Sequence, residues 1–272
     1  MRLREARRLL DGLAAGVPRE AGTIRLELQK PIAKVIIDNT TVRNAITLHM
    51  MLDLLNAVEQ LWKWDGAAVI LCSADPNFFC AGGHLKQVKT ALAEPDKGRC
   101  MAMAMATVLD QFMGLPMVTV AAVNGLAIGG GAELVTACDH RVASTAGQIH
   151  FVHGRLGLAP GWGGTGRLVA HVGRRRALRI LTTALPINAV EGERIGLVDQ
   201  IVEGSAIAGA ERFLEPVCAL PPSAVRAAKL QVAAGYHLRT SRGLFPETDA
   251  FTAVWAGDDH RNALTMVLQR MS

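Results

Sequence analysis

The sequence predicts an α/β fold that is followed by a helical C-terminal region. Short runs of β-branched and apolar residues, typical of strands, lie at 34–38 and 67–73. Between them, apolar residues recur at helical spacing from Leu48 to Trp62, which indicates an amphipathic helix. Strand patterns fade after about Gly166, and helical patterns dominate from there to Ser272. Strands that alternate with helices are the pattern of layered α/β proteins.

Two further strands are predicted within the α/β part. One covers 117–123, directly after Pro116, and a shorter one covers 141–143. The chain then divides into three predicted parts, an N-terminal helical extension (1–22), an α/β core (23–203) and a helical C-terminal region (204–272).

Composition excludes several classes of protein. The chain has 272 residues, half of them hydrophobic, which is enough to bury a substantial core. No window approaches the roughly 20 apolar residues of a membrane span, so we expect no membrane association. The five cysteines are scattered without a CxxC pair, which argues against a disulfide framework or a zinc cage. The net charge of +5 suits a polyanionic small ligand as well as nucleic acid.

The N-terminal segment allows two interpretations. Arginines surround leucines between Met1 and Arg19, as in a mitochondrial transit peptide. Acidic residues at Glu5, Asp11 and Glu20 and a lack of serine favour a solvent-exposed helix instead. We therefore predict a cytoplasmic protein, with a mitochondrial location as the alternative.

The most informative stretch runs from Val123 to Glu133. An apolar strand breaks into three consecutive glycines, Gly129 to Gly131, and a glutamate follows at a predicted helix start. Glycines there weaken a fold, but they leave backbone N–H groups uncovered at the positive end of a helix. Such N–H groups can hold a developing oxyanion. The stretch therefore predicts an active site for acyl chemistry.

A second small-residue loop, 78–86, follows the strand at 67–73. Taken alone, it is as typical of an ordinary strand-to-helix turn as of a binding loop. Together with Gly129 to Gly131 it gains meaning, because an oxyanion hole needs two donors from separate segments.

Two other motifs are rejected as binding sites. Gly161 to Gly166 formally satisfies GxGxxG, but it follows Pro160 rather than a clear strand, so it is not a dinucleotide fingerprint. His150 and His153 have HxxH spacing without a third ligand, so no metal site is predicted.

Three motifs in order carry a family resemblance: 81–85, 125–133 with the trailing Cys138-Asp139, and 158–165. Together they resemble the crotonase (enoyl-CoA hydratase/isomerase) superfamily, over about Ile24 to Arg270. The resemblance implies a spiral of ββα turns, a helical C-terminal trimerisation region, and a homotrimer or dimer of trimers. It also implies an acyl-CoA thioester substrate and no cofactor, since coenzyme A is part of the substrate.

The resemblance also implies the site residues. The N–H groups of Gly83 and Gly130 would hold the thioester oxygen, and Glu133 and His153 would be the catalytic side chains. The residues expected to contact the substrate or its coenzyme A are Arg43, Ala45, Ala81, His84, Leu85, Lys86, Gly129 and Trp162.

One departure from the family pattern determines the predicted reaction. Hydratases of the family use two glutamates; Glu133 matches the first, and Val152-His153 stands where a Pro-Glu dipeptide carries the second. Adding water to a double bond needs two acid/base groups. The resemblance, which extends to the late segments 247–249 and 254–257, implies an acyl-CoA decarboxylase of short branched malonyl thioesters, ethylmalonyl-CoA and methylmalonyl-CoA.

The charge of a malonyl substrate favours a histidine over a second glutamate at position 153. The substrate brings its own carboxylate, which a second glutamate would repel and a histidine would not. The proton donor to the resulting enolate stays open between His153 and Glu133, the latter with a pKa raised by apolar surroundings. Two alternatives remain: an enoyl-CoA hydratase or isomerase that uses Glu133 alone, and an RNA-binding crotonase-fold protein. His84, where many members have aspartate, leaves substrate detail open.

Overall fold

A computed structural model describes residues 2–90, 93–240 and 255–270. Within these ranges ten strands form two sheets. A six-stranded sheet has the order β1-β2-β3-β5-β7-β10, and a four-stranded sheet has the order β4-β6-β8-β9. The strands are β1 (Thr23–Gln29), β2 (Ile32–Asp38), β3 (Ala68–Ser73), β4 (Phe78–Cys80), β5 (Val118–Val123), β6 (Leu126–Ile128), β7 (His140–Ser144), β8 (Gln148–His150), β9 (Ile187–Asn188) and β10 (Gln200–Val202).

The helices are α1 (Leu3–Ala14), α2 (Leu48–Leu61), α3 (Leu85–Thr90), α4 (Pro95–Met113), α5 (Gly130–Thr136), α6 (Gly164–Thr183), α7 (Ala189–Ile195), α8 (Ala206–Cys218), α9 (Pro222–Thr240) and α10 (Asp258–Gln269). Short 3-10 helices lie at Thr40–Val42 and His153–Leu156. The predicted α/β class is confirmed, as are the amphipathic helix α2 and the strands β2, β3, β5 and β7.

The chain winds as a spiral of ββα turns. Strand β3 lies in the large sheet, β4 in the small sheet, and α3 follows; β5, β6 and α5 repeat this order. Along each sheet these successive strands pair in parallel, β3 with β5 and β4 with β6. The next turn adds β7 to the large sheet and β8 to the small one, also in parallel. The spiral expected from the family resemblance is therefore confirmed.

Both faces of the large sheet are covered. Side chains alternate along a strand, so Val69 and Leu71 of β3 join the main core while Ala68 and Ile70 join a second cluster. Helix α8 covers that second cluster with Leu214 and its neighbours. Strand β3 is buried along its whole length, which explains its continuous apolar sequence.

The N-terminal helix corrects one prediction. Helix α1 exists, but it is not simply solvent-exposed: Ala6 and Leu10 are fully buried in the main core. The helix packs against α2 and α4. Its outward arginines remain at the surface or half-buried, and Arg7 pairs with Glu59 of α2 at 2.9 Å. The extension is thus an integral layer of the fold.

Two other predictions need correction. The apolar run from Val123 to Ile128 is not one strand, because Asn124 and Gly125 separate β5 from β6 in the other sheet. Strands also continue beyond Gly166, where β9 and β10 extend the two sheets. Each has two or three residues, too few to show an alternating pattern. No helix of the described ranges is long and apolar enough to cross a membrane.

Candidate active site

Three neighbouring strands of the small sheet bring the predicted site together. Strands β4, β6 and β8 are parallel. Their carboxyl ends therefore meet at one edge and lead respectively to Gly83, Gly130 and His153. The loop after β6 is also tied to β8, since Gly129 N–H donates to the His150 carbonyl at 2.9 Å. Segments far apart in sequence thus converge as predicted.

Each of the three consecutive glycines has its own structural reason. Gly129 has φ 55° and ψ −118°, a conformation that side chains oppose. A Cβ on Gly130 would lie 2.4 Å from the Trp162 ring, and one on Gly131 would lie 2.3 Å from the Cys80 carbonyl oxygen. The backbone therefore approaches its neighbours too closely at both positions for any larger residue.

The two predicted oxyanion donors lie on adjoining loops. A Cβ on Gly82 would be 3.1 Å from the Gly130 nitrogen, so the loops are in contact. A short parallel bridge joins Ile46 to the loop that carries Gly83. In this bridge the Ile46 N–H donates to the Gly82 carbonyl and the His84 N–H donates to the Ile46 carbonyl, so the Gly83 N–H takes no part in it. Gly130 is the first residue of α5, where N–H groups lack helical acceptors. Both Gly83 and Gly130 line one cavity, as an oxyanion hole built from the two loops would require.

The Glu133 carboxylate accepts hydrogen bonds from four surrounding donors. Its carboxyl group is buried, and the side chain is 2% exposed. One oxygen accepts from His153 Nε2 at 3.1 Å and from Gly161 N–H at 3.3 Å. The other accepts from Trp162 N–H at 2.7 Å and Gly164 N–H at 2.9 Å. A Cβ on Gly164 would lie 2.5 Å from Glu133 Cγ, so glycine is required there.

The predicted rise in the Glu133 pKa is wrong. Burial alone would raise the pKa of this carboxyl, but the hydrogen bond and charge of His153, the charge of Arg167 and the Gly164 N–H together lower it. Hydrogen bonds to the charged form stabilise it. Glu133 is therefore an ionised carboxylate in the resting protein, and it holds no proton to give to an enolate.

The tautomer of His153 follows from this carboxylate. An ionised carboxylate only accepts hydrogen bonds, so Nε2 of His153 must carry a hydrogen. The other ring nitrogen, Nδ1, is buried and has no hydrogen-bond partner among the described residues. His153 is 8% exposed and lines the cavity. A buried ring nitrogen without a partner at a cavity is suited to contact a ligand.

Arg167, which the sequence reasoning missed, joins the segments around Glu133. It is 4% exposed and donates to the carbonyl of Glu133 at 3.2 Å and to that of Trp162 at 2.8 Å. It also reaches the Thr136 hydroxyl at 3.3 Å. The guanidinium thus fastens α5 to the glycine loop 161–164. The sequence carries no signal for these contacts, because two of the acceptors are main-chain carbonyls.

The described residues enclose a cavity of about 90 Å³ at this site. Its lining combines the loops that carry Gly83 and Gly130 with Glu133, His153 and apolar side chains. Of the predicted residues, the cavity is lined by Gly83, Gly130, Glu133, His153, Ala81, Leu85, Gly129 and Trp162. Sequence reasoning did not foresee the contributions of Met101 in α4, Leu158, Trp255 and Leu264 in α10.

The remaining predicted residues lie around this cavity rather than in its lining. Arg43 stacks over the Phe78 ring at 5.0 Å, and Ala45 is buried. His84 lies 3.5 Å from Glu20, and Lys86 is exposed. Whether these four contact coenzyme A stays a prediction.

The described residues give little support for metal binding or for thiol chemistry at this site. His150 directs Nε2 to the Ala184 carbonyl at 2.8 Å, away from His153. No group of three metal-ligating side chains occurs within those ranges. Burial raises the pKa of the Cys80 thiol, beside the first loop, to about 12, so it is neutral and not a nucleophile. Of the late segments, 247–249 and Val254 lie outside the described residues.

Comparison with known proteins places this geometry in a family. The family model described as Enoyl-CoA hydratase/isomerase matches residues 27–272. Ethylmalonyl-CoA decarboxylase of Mus musculus is 37% identical over 243 residues, 88% of this chain and 75% of that protein. The protein of the same name from Danio rerio is 37% identical over 276 residues, 96% of this chain and 91% of that protein.

A solved structure agrees on the fold. The crystal structure of enoyl-CoA hydratase from Bacillus halodurans matches with a TM-score of 0.81 at 21% identity, covering 89% of this chain and 99% of that one. The chain therefore belongs to the crotonase (enoyl-CoA hydratase/isomerase) superfamily of enzymes, which act on acyl-CoA substrates.

Proposed function

We propose that the protein decarboxylates short branched malonyl thioesters, namely ethylmalonyl-CoA and methylmalonyl-CoA. The observation that carries the proposal is the pair formed by Glu133 and His153: one buried carboxylate, saturated by donors, beside a histidine where hydratases have a second glutamate. The names of the curated relatives support it.

The reaction needs an electron sink, which the thioester supplies. The bond between Cα and the substrate carboxylate breaks, CO2 leaves, and the electron pair forms a thioester enolate. The N–H groups of Gly83 and Gly130 would stabilise the enolate oxygen, each contributing about 3 kcal/mol. No metal or organic cofactor is needed for this step.

His153 is the proposed proton donor to Cα. Glu133 has no proton to give, because its pKa is lowered. An imidazolium at His153 has a counter-charge 3.1 Å away at Glu133, and its Nδ1–H would be free to meet the substrate. After transfer the neutral ring takes a proton back from solvent. Glu133 thus orients His153 and stabilises its charge.

The hydratase or isomerase alternative is less well supported by this site. Such an enzyme would use Glu133 alone as acid and base, but both oxygens of Glu133 already accept two hydrogen bonds each. A lowered pKa also makes Glu133 a weak base.

The direct test incubates the purified protein with ethylmalonyl-CoA and methylmalonyl-CoA in D2O and identifies the thioesters by mass spectrometry. We expect butyryl-CoA and propionyl-CoA that carry one deuterium from protonation of the enolate. Unchanged substrates would contradict the proposal.

A further inference from the structure

The cavity has one wall that belongs to the C-terminal region. Trp255 is 4% exposed and lines the cavity together with Leu264 of α10. Helix α10 packs against α3 and the 3-10 helix that begins at His153. The C-terminal region therefore forms one wall of the cavity that the loops carrying Gly83 and Gly130 also line.

The position of Trp255 depends on a glycine in another helix. A Cβ on Gly98, in the first turns of α4, would lie 2.1 Å from Nε1 and 2.2 Å from Cδ1 of the Trp255 indole. Apart from proline, glycine is the least favourable residue inside a helix, so its presence there indicates a packing requirement. Gly98 is not among the described lining residues, whereas Trp255 is. The indole thus stands between Gly98 and the cavity.

The backbone beside Trp255 is strained. Ala256 has φ 56°, in the left-handed region that residues with a side chain avoid, and it is buried. Surrounding packing must hold such a residue in place, and strain of this kind is concentrated at functional sites. The indole is therefore held in a defined position.

We propose that Trp255, seated on Gly98, sets the length of the acyl group that the cavity accepts. This specificity role rests on the proposed acyl-thioester site. The cavity of about 90 Å³ has room for a short acyl group, and the indole blocks extension toward Gly98. Trp255→Ala would remove that wall. Gly98→Ala would push the indole into the cavity and shorten it.

The experiment measures dissociation constants of butyryl-CoA and hexanoyl-CoA by calorimetry. Neither ligand carries a malonyl carboxylate, so binding reports on acyl length independently of decarboxylation. Two accommodated CH2 groups strengthen binding about tenfold. We therefore expect Trp255→Ala to favour hexanoyl-CoA over butyryl-CoA by about tenfold more than the unmodified protein does, and Gly98→Ala to shift this preference the opposite way.

Two further variants serve as a control and as a replacement. Gly12→Ala adds a methyl group to a helical glycine with open space around it and should leave the preference unchanged. Trp255→Leu replaces Trp255→Ala if the smaller side chain prevents folding. An unchanged preference in folded Trp255 variants would overturn the inference while leaving decarboxylation standing. A shifted preference in a protein that does not decarboxylate would do the reverse, and no binding of either thioester by the unmodified protein would overturn the inference.

Discussion

At the scale of single residues, the surroundings of Glu133 determine what this site can do. Four donors surround its carboxylate, three of them backbone N–H groups that no substitution of a side chain would remove. The usual association of a buried glutamate with a raised pKa fails here, because hydrogen bonds and nearby positive charge outweigh burial. We therefore propose His153, rather than Glu133, as the acid.

Glu133→Gln should lower turnover at least tenfold and leave the fold in place. The glutamine NH2 would meet donors where an acceptor is needed, so we expect a loss of roughly 1–3 kcal/mol in the free energy of unfolding. Initial rates and urea unfolding measure the two effects. Glu191→Gln, at an exposed carboxylate paired with Arg194, is the control and should change neither. Unaltered kinetics in Glu133→Gln would remove this residue from the mechanism.

Arg167→Met should reduce kcat about tenfold or more, because Glu133 and the glycine loop lose the group that joins them. Arg167 is not among the described lining residues, so it is a positioning residue and KM should change less than kcat. Arg167→Lys should restore part of the rate. Arg179→Met, an exposed change beyond the kink at Gly173 in α6, is the control. A rise in KM at constant kcat would contradict a positioning role.

At the scale of elements, the junction of α5 and α6 carries a titratable group. Burial, and then the Arg141 guanidinium, lower the pKa of His171 from 6.5 to about 4. His171 Nε2 lies 3.3 Å from Arg141 Nη1 and 3.2 Å from the Thr136 carbonyl oxygen, and the positive guanidinium beside the ring opposes its protonation. The unfolded chain binds this proton more readily than the folded one.

The stability that His171 contributes is therefore fully present above pH 6.5 and is lost as the pH falls through the folded pKa of about 4. Between pH 6.5 and about pH 5 this loss should reach about 2 kcal/mol. His171→Gln should flatten the pH dependence of unfolding in that window, measured by urea titration at each pH. Equal slopes for the two proteins would refute the linkage.

The helices and strands that the sequence predicts correctly are those with a clear apolar pattern. Helix α2 has a periodic apolar pattern and strands β2, β3 and β5 have apolar runs, whereas β9 and β10 are too short to show either. The charged residues of β1, of which Arg25 pairs with Glu27 and Asp38, masked its alternation. Three consecutive glycines marked the loop 129–131 in the sequence, but no sequence pattern predicted that Gly161, Trp162 and Gly164 would donate their N–H groups to Glu133.

At the scale of the whole molecule, the spiral makes the site. Parallel pairing of β4, β6 and β8 aligns three loops from different turns, and the C-terminal region covers them through Trp255 and Leu264. The meeting of these loops depends on which strands pair, and strand pairing is a property of the complete fold. Local sequence patterns did not predict this pairing, whereas the family resemblance did. The divisions of the chain at 22 and 203 stay predictions.

Assembly is a second property at this scale. Large apolar side chains are exposed in the C-terminal half, among them Leu178, Leu185 and Val190. Apolar patches on a surface mark interaction sites. We expect a homotrimer or a dimer of trimers, so light scattering should give three or six times the mass of the chain. A protein that stays monomeric at micromolar concentration would contradict this expectation.

We propose that His153, in place of a second glutamate, makes this site a decarboxylase. The ratio of ethylmalonyl-CoA decarboxylation to crotonyl-CoA hydration tests this proposal. The unmodified protein should favour decarboxylation strongly. His153→Glu, which sets two carboxylates side by side, should lose at least tenfold in decarboxylation rate. Faster hydration than decarboxylation by the unmodified protein, or full decarboxylation by His153→Glu, would contradict the account.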